Sequence, residues 1–331
     1  MFFVPLWFIP LVRSATVGAF IVRRMGQGVI LLVLLSMVVF LMIYLAPGDA
    51  ADFAVSQRAN EEDVIRFRHE MGLDLPWYQQ YFHLAGNWAR LRFGNSIIQK
   101  QPVATIIKSR LPRTAEILGL SIVFSLLLSV PIGIIAAVRQ YSTLDNVVTL
   151  LAFVGIAVPS FFLAFILILL FAVGLHWLPT QGSQTIGQPD SLSDHVKHLV
   201  LPVLTLTLIR TAGWSRYLRS SMLEVLGQDF IRTAHAKGLA ARTVLFRHAF
   251  RNAVMPLITL LGLSLPDLVA GAIVTEQVFS WNGLGQLIVS SSSKRDTPVV
   301  LALTLLSGAA VIIGNLLADI SYRIVDPRIK L

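Results

Sequence analysis

His195 and His198 lie three residues apart with Asp194 beside them, a spacing that lets two imidazoles on one helix face share a metal ion. Such a site needs further ligands. The chain has no cysteine, and no carboxylate cluster accompanies the pair beyond Asp194, so the two histidines are expected to cap the apolar run that opens near Leu199. The lack of cysteine also excludes disulfides, thiolate metal sites and a thiol nucleophile. No H-E-x-x-H, G-x-S-x-G or G-x-x-x-x-G-K-[ST] pattern occurs, which leaves zinc-protease, serine-hydrolase and nucleotide-phosphate chemistry without their usual residues. Gly283-x-Gly285 follows no strand pattern and reads as a turn. Two features remain. Asp267 is a carboxylate inside an otherwise apolar run, and "RTAHAKGLAARTVLFRHAFRN" at 232–252 is strongly basic.

The elements that must position them follow from composition. The chain is 55% hydrophobic and 14% charged, with a mean hydropathy of +0.72, which describes a membrane protein rather than a soluble domain. A net charge of +9 would suit nucleic acid, but basic loops that anchor a membrane protein on its cytoplasmic side account for it, and no nucleic-acid partner is expected. Uncharged runs long enough to cross hydrocarbon predict an all-α polytopic protein with six spans, at about 25–48, 114–138, 147–175, 199–215, 253–275 and 297–318. The 199–215 span is the weakest, with Arg210 expected to reach for the interface.

Loop charge supports that span. With six spans both termini are cytoplasmic, and Arg13, Arg23, Arg24, Arg139, the basic residues from Arg210 to Arg251, and Arg323, Arg328 and Lys330 all fall inside. The short outer loops then hold only Lys197, Lys294 and Arg295. Residues 1–24 read as a cytoplasmic or interfacial extension. The segment 49–113 is an extracytoplasmic insertion, with a helix from about Asn60 to a break at Gly72 and a second helix started by Pro76. Trp77, Tyr78, Tyr81, Phe82 and Trp88 give it an aromatic face, for the membrane interface, for packing, or for gripping a solute.

The basic stretch then lies in a cytoplasmic loop, 216–252. Leu223, Leu226, Phe230 and Ala234 fall on one helical face, and Gly238 stands where a left-handed helix cap belongs. A basic helix of this kind can lie on anionic lipid headgroups or dock in a partner's groove.

"FIRTAHAKGLAARTVLFRHAFRNAVMPLITLLGL" from Phe230 resembles the cytoplasmic coupling loop of permease subunits in ABC importers of the dipeptide, oligopeptide and nickel group. The resemblance extends through "LAPGDAADF", "MGLDLPWYQQY", "HLVLPVLTLTL", "GAIVTEQVFSWNGLGQLIVSS" and "NLLADISYRIVDPRIKL". It covers most of the chain beyond Arg23. Ala234 and Gly238 match the second alanine and the glycine of the family's Glu-Ala-Ala-x-x-x-Gly loop. Arg232 and Thr233 depart from it in the manner of the peptide and nickel branch. "RFGNS" at 92–96 lacks the Gly-Asp that precedes it in relatives, which changes that outer turn.

What the resemblance implies is a non-enzymatic, ABC importer type I permease-like subunit in the bacterial inner membrane. It binds no cofactor itself, and ATP is used by two partner ATPase subunits. A second homologous permease, an extracytoplasmic substrate-binding protein and membrane lipid complete its surroundings. Asp229, Arg232, Thr233, Ala234, His235, Lys237 and Gly238 would form the ATPase-coupling site, and Glu276, Trp281 and Asn282 would face the binding protein. Di- or oligopeptides are the expected solutes, with nickel chelates or glutathione as the alternative and a self-contained secondary transporter as a distant one. Asp267, without an obvious cation in its own span, either lines the path or caps a helix broken at Pro266.

Overall fold

Backbone amides and carbonyls in hydrocarbon have no water to pair with, so long uncharged runs become helices that satisfy these groups internally. The structure, a computed structural model, describes residues 17–45, 62, 65, 69, 74–185, 187, 191–264, 267 and 272–325. Among these, β pairing is limited to one isolated bridge between Asn95 and Pro102. The helices in chain order are α1 (Val17–Tyr44), α2 (Trp77–Ala89), α3 (Val103–Val138), α4 (Thr143–Ala157), α5 (Ser160–Leu167, widening to π geometry over Ile168–Gly174) and α6 (Leu192–Leu226). They continue as α7 (Asp229–Ala236), α8 (Ala241–Thr243, a π segment Val244–Phe250, then Arg251–Ala253), α9 (Met255–Ser264), α10 (Ile273–Val278), α11 (Leu284–Ser293) and α12 (Thr297–Val325).

Among the described residues four helices are long and apolar enough to cross a bilayer: α3, α6, and the Val22–Met42 and Thr297–Leu317 portions of α1 and α12. The α4–α5 pair is a fifth if its two halves are counted as one span. The run 147–175, expected as one span, is not a straight helix, because α4 and α5 meet at a bend of 106°. Pro159 is the cause. It has no amide proton to donate, and it drives Val158 to an extended ψ of 122°. The expected span 199–215 lies within a longer helix, α6, which extends to Leu226 and takes in the first part of the segment expected to be a loop. α9 occupies the first part of the 253–275 run, and most of the remainder lies outside the described residues. α1 begins within the segment 1–24, of which residues 1–16 lie outside the described set, as do Asn60 and Gly72.

α3 and α6 pack along their length at the centre of the bundle. Buried Ser121, Ser125 and Ser129 recur every fourth residue on α3, and Thr207, Thr211 and Ser215 do so on α6. Gly133 continues the α3 row: a Cβ there would lie 3.0 Å from both Leu218 Cβ and the Ser215 carbonyl. Small residues at these points let the two backbones approach, which is how helices associate where lipid is as apolar as leucine. α4 and α5 lean on α6, α1 pairs with α12, and α9 packs between α12 and α6. α2 docks on α1 through Tyr81, which is buried with its hydroxyl 2.9 Å from Ser36 Oγ and its ring beside Phe40. Trp77, Tyr78 and Phe82 stay exposed.

The apolar core falls into four clusters among the described residues, two of them, around Ile117, Leu118, Leu199 and Val203 and around Leu167, Leu201 and Phe279, between the two at the ends. At one end Ile134 and Ala137 of α3 meet Leu218 and Met222 of α6, Ile231 and Ala234 of α7, and Val244, Ala249 and Ala253 of the α8 stretch. At the other, Val103, Ile106 and Ile107 of α3 meet Leu284 and Leu287 of α11 and Val299, Ala302 and Leu303 of α12. Leucine at Gly133 overfills the α3–α6 contact and should cost about 1–3 kcal/mol, read as a lower unfolding midpoint in detergent. Leucine at Gly213, where a Cβ meets nothing within 4 Å, should leave that midpoint unchanged. Equal shifts for the two variants would contradict this account of the seam.

Candidate functional site

The basal unit is built by a helix, a glycine and a second helix. α7 ends in a Schellman closure: the Leu239 amide donates to the Ala234 carbonyl and the Gly238 amide to that of His235. Gly238 adopts φ +74°, and a Cβ there would meet open space. Glycine is therefore needed at this point for backbone conformation rather than for room. Ile231 and Ala234 turn into the end core, while Arg232, Thr233, His235 and Lys237 are exposed. Asp229 pairs with Arg232 at 3.4 Å with both groups in solvent, a contact of little energetic weight. The expected apolar face is corrected in one respect. Phe230 is 45% exposed, and Ile231 takes the inward position. α6 stops at Gly227, so the helical phase restarts at Gln228 and does not carry over from Leu223 and Leu226.

Beside this unit, Arg219 of α6 makes a two-pronged bond to Asp145 at the start of α4: Nε to Oδ1 at 2.5 Å and Nη2 to Oδ2 at 2.7 Å. Asp145 is buried and also accepts from the Tyr141 amide, while Ser142 caps α4 by accepting from the Asp145 amide. This tie was missed by sequence reasoning. Its local signal was Ser142-x-x-Asp145, a helix-start pattern, but the partner is on another element and no spacing points to it.

Midway along α6, Arg210 donates from Nη2 to Asp267 Oδ2 at 3.0 Å and from Nη1 to Ser264 Oγ at 3.0 Å. Both the unpaired Asp267 and the snorkelling Arg210 expected from sequence are thereby corrected. The arginine reaches inward because a carboxylate is available there, and an ion pair is the less costly state for two charges in an apolar bundle.

At the opposite end, Glu276 is 0% exposed. Its carboxylate accepts from Thr114 Oγ1 at 2.8 Å and from the Gln286 amide at 3.0 Å, and Thr114 Oγ1 in turn accepts from the Leu284 amide at 2.7 Å. A Cβ at Gly283 would stand 2.4 Å from Thr114 Oγ1 and 2.5 Å from Glu276 Oε2, so glycine lets the loop close over the carboxylate. Trp281 is fully buried, with its indole N–H on the Arg113 carbonyl at 2.9 Å. The expectation that Glu276 and Trp281 face the binding protein is therefore corrected: both point into the chain's own interior. Asn282 is exposed and accepts from Arg110.

The nearby histidines, expected to cap a run opening near Leu199, lie inside α6, which already begins at Leu192, and make hydrogen bonds instead. His195 Nε2 is 2.8 Å from Glu116 Oε1 and its Nδ1 donates to the Ser183 carbonyl, while His198 Nδ1 donates to the Asp194 carbonyl. Among the described residues no group of three or more histidines, cysteines or carboxylates could hold a metal ion. The "RFGNS" turn is held by Asp296, which accepts from Ser96 Oγ and, at 3.0 Å, from the Ile97 amide.

Comparison with known proteins agrees with this architecture. Residues 129–331 match the binding-protein-dependent transport system inner membrane component family, and residues 17–118 match the N-terminal region of such membrane components. The chain belongs to this family. It is 41% identical over 314 residues to the oligopeptide transport system permease protein AppB of Bacillus subtilis, covering 95% of this chain and 99% of that one. A probable peptide ABC transporter permease of Sinorhizobium fredii is 37% identical over 95% of the chain and 99% of its own. The glutathione transport system permease protein GsiC of Escherichia coli is 36% identical over 94% and 98%. This permease is a multi-pass inner-membrane subunit.

Within the permease, the Asp145–Arg219 tie holds α4 to the lower half of α6. Asp145→Ala should cost about 3 kcal/mol, the low end for breaking a buried pair, because Arg219 keeps 24% of its side chain exposed. Adding Arg219→Met should recover most of the loss, measured as the unfolding midpoint of the purified complex. A double variant no more stable than Asp145→Ala would show that the pair does not act as a unit.

Proposed function

We propose that this permease is one of two homologous subunits lining the path of an ATP-driven peptide importer. Two ATPase subunits would sit beneath it, and an extracytoplasmic binding protein would deliver the solute. The observation that carries the coupling role is the α7–Gly238–α8 unit, whose polar face is exposed while Ile231 and Ala234 are locked into the end core. Movement of an ATPase against that face would be passed to α3 and α6 through packed side chains rather than lost in a mobile loop. This subunit then needs two stable arrangements, and the hydrolysis is done by its partners.

Six spans with both termini cytoplasmic complete the reading, with the bent α4–α5 pair as one span and the run from α9 onward as another. Peptides are the solute class because relatives at 37–41% identity bear oligopeptide and peptide names. Glutathione, itself a peptide, is a second reading favoured by the relative at 36%. Asp267 is assigned to the translocation path.

Charge reversal of Arg232 together with Lys237, or Gly238→Pro, should abolish ATP-dependent uptake while the subunit still reaches the membrane. Uptake and stimulated ATPase activity at parental levels in these variants would reject the coupling role. Topology is checked separately, using the absence of native cysteine. A thiol at Gln228 should react only from the cytoplasmic side, and one at Ser191 only from outside. Reaction of the Gln228 variant from outside would remove the span formed by α6.

A further inference from the structure

We propose that Arg210 and Asp267 together form a two-ended polar site, within the membrane-spanning bundle, for a solute that carries both an ammonium and a carboxylate group. The proposal rests on the importer reading above and adds the side chains that would hold the solute in transit.

Arg210 is the one Lys, Arg, Asp or Glu of α6 between Lys197 and Arg216, inside the apolar stretch of that span. Charges within a span face a cavity or a partner, because exposure to hydrocarbon is costly. The two members of this pair differ in a telling way. The Arg210 side chain is 15% exposed and that of Asp267 48%. The half-open Asp267 carboxylate contrasts with Asp145, which is buried within this chain and bonded on both oxygens.

The guanidinium is also incompletely used. Its two terminal nitrogens are engaged by Asp267 and Ser264, but its Nε is buried without a hydrogen-bond partner among the described residues. The hydroxyls of Thr207 and Thr211, flanking Arg210 on α6, and of Ser129 on α3 are likewise buried and unpartnered there. Buried polar atoms left unpaired are uncommon, and each costs free energy until something fills its valence. Ser129, Thr207 and Thr211 belong to the close α3–α6 seam, so the unpaired donor that bears on the ion pair itself is Arg210 Nε.

Exchange explains the arrangement. A peptide entering from the binding protein carries an ammonium at one end and a carboxylate at the other. Its ammonium can replace Arg210 at Asp267, and its carboxylate can take the guanidinium so released. Net charge at the site is unchanged at each step, so neither protein charge is left unpaired in the bundle. When the solute leaves, the pair closes again and restores the resting contact. A tight bidentate pair would resist such exchange, whereas the single Nη2–Oδ2 bond concedes it.

The test uses the complete transporter in proteoliposomes with saturating binding protein and unblocked di- and tri-alanine as the solutes, reading solute moved per ATP hydrolysed. Asp267→Asn and Arg210→Gln should keep binding-protein-stimulated ATPase activity within about twofold of the parent. Solute moved per ATP should fall by about tenfold or more, as expected for loss of a charge-assisted bond. The swap Arg210→Asp with Asp267→Arg re-forms the ion pair but reverses its sense, and transport should stay low. Full recovery in the swap would show a purely structural pair and overturn the proposal, as would an unchanged ratio in either single variant. If the neutral variants do not assemble, Asp267→Glu carries the test. It keeps the charge but moves it by one methylene, so assembly should hold and the ratio should fall; an unchanged ratio overturns the proposal. Failure of the importer reading looks different: the parent complex itself would then show no ATP-dependent uptake.

Discussion

The close approach of α3 to α6 is the constraint on which the other elements depend. In water two such helices would be driven together by burying leucine, but in lipid that term nearly vanishes and proximity must come from van der Waals contact and hydrogen bonds. Serine and threonine every fourth residue on facing rows, ended by Gly133 against Leu218, supply that proximity. Large apolar side chains such as Leu127, Leu150 and Phe165 are consequently left outside, where hydrocarbon solvates them. Along the serine and threonine half of the seam the usual logic of a soluble core is suspended, while towards Ile117, Leu118, Leu199 and Val203 the same two helices pack through buried apolar side chains.

From that seam, three polar ties of different character radiate. Asp145–Arg219 is buried and doubly bonded, and fixes α4 to α6 at the base. Glu276 with Thr114 is sealed by two glycines and fixes the loop after α10 to α3 at the far end. Arg210–Asp267 is singly bonded and half open. The two outer ties would each leave a buried charge or amide unpaired if opened, which makes them rigid; the central one is the tie proposed above to exchange its partners for a solute. Stiff ends joined by a middle that can exchange partners suit a protein that must hold its shape while a solute passes.

Much of this was legible in the sequence where one local rule acts alone. Uncharged runs marked the helices, loop charge justified the weak span at α6, and Lys237-Gly238-Leu239 announced the end of α7. The misreadings arise where two rules compete. The run 147–175 is apolar throughout, so hydropathy hid the break that Val158-Pro159 imposes. Glu276 and Trp281 looked exposed because they follow a span on its outer side. Only the fold brings Thr114, 162 residues away, close enough to bury the carboxylate. Arg210 and Asp267 are 57 residues apart, and no periodicity in one chain announces such a pair. Phe230 and Ile231 exchanged roles because a helix end between Leu226 and Asp229 reset the phase.

The unit proposed above as the coupling element is half buried for a physical reason. A helix of eight residues is too short to be stable in water on its own, so α7 owes its form to Ile231 and Ala234 packed against α3, α6 and α8. That dependence has a mechanical side. A load applied to Arg232, His235 or Lys237 cannot be absorbed by unwinding α7 without first emptying the cluster around Met222 and Val244, and a close-packed interior resists such voids. The same contacts that make the helix stable therefore make it stiff. Gly238 confines the change of direction to one residue, so in the proposed coupling role a force would reach α6 and α3 together, the two helices from which the remainder of the bundle is hung.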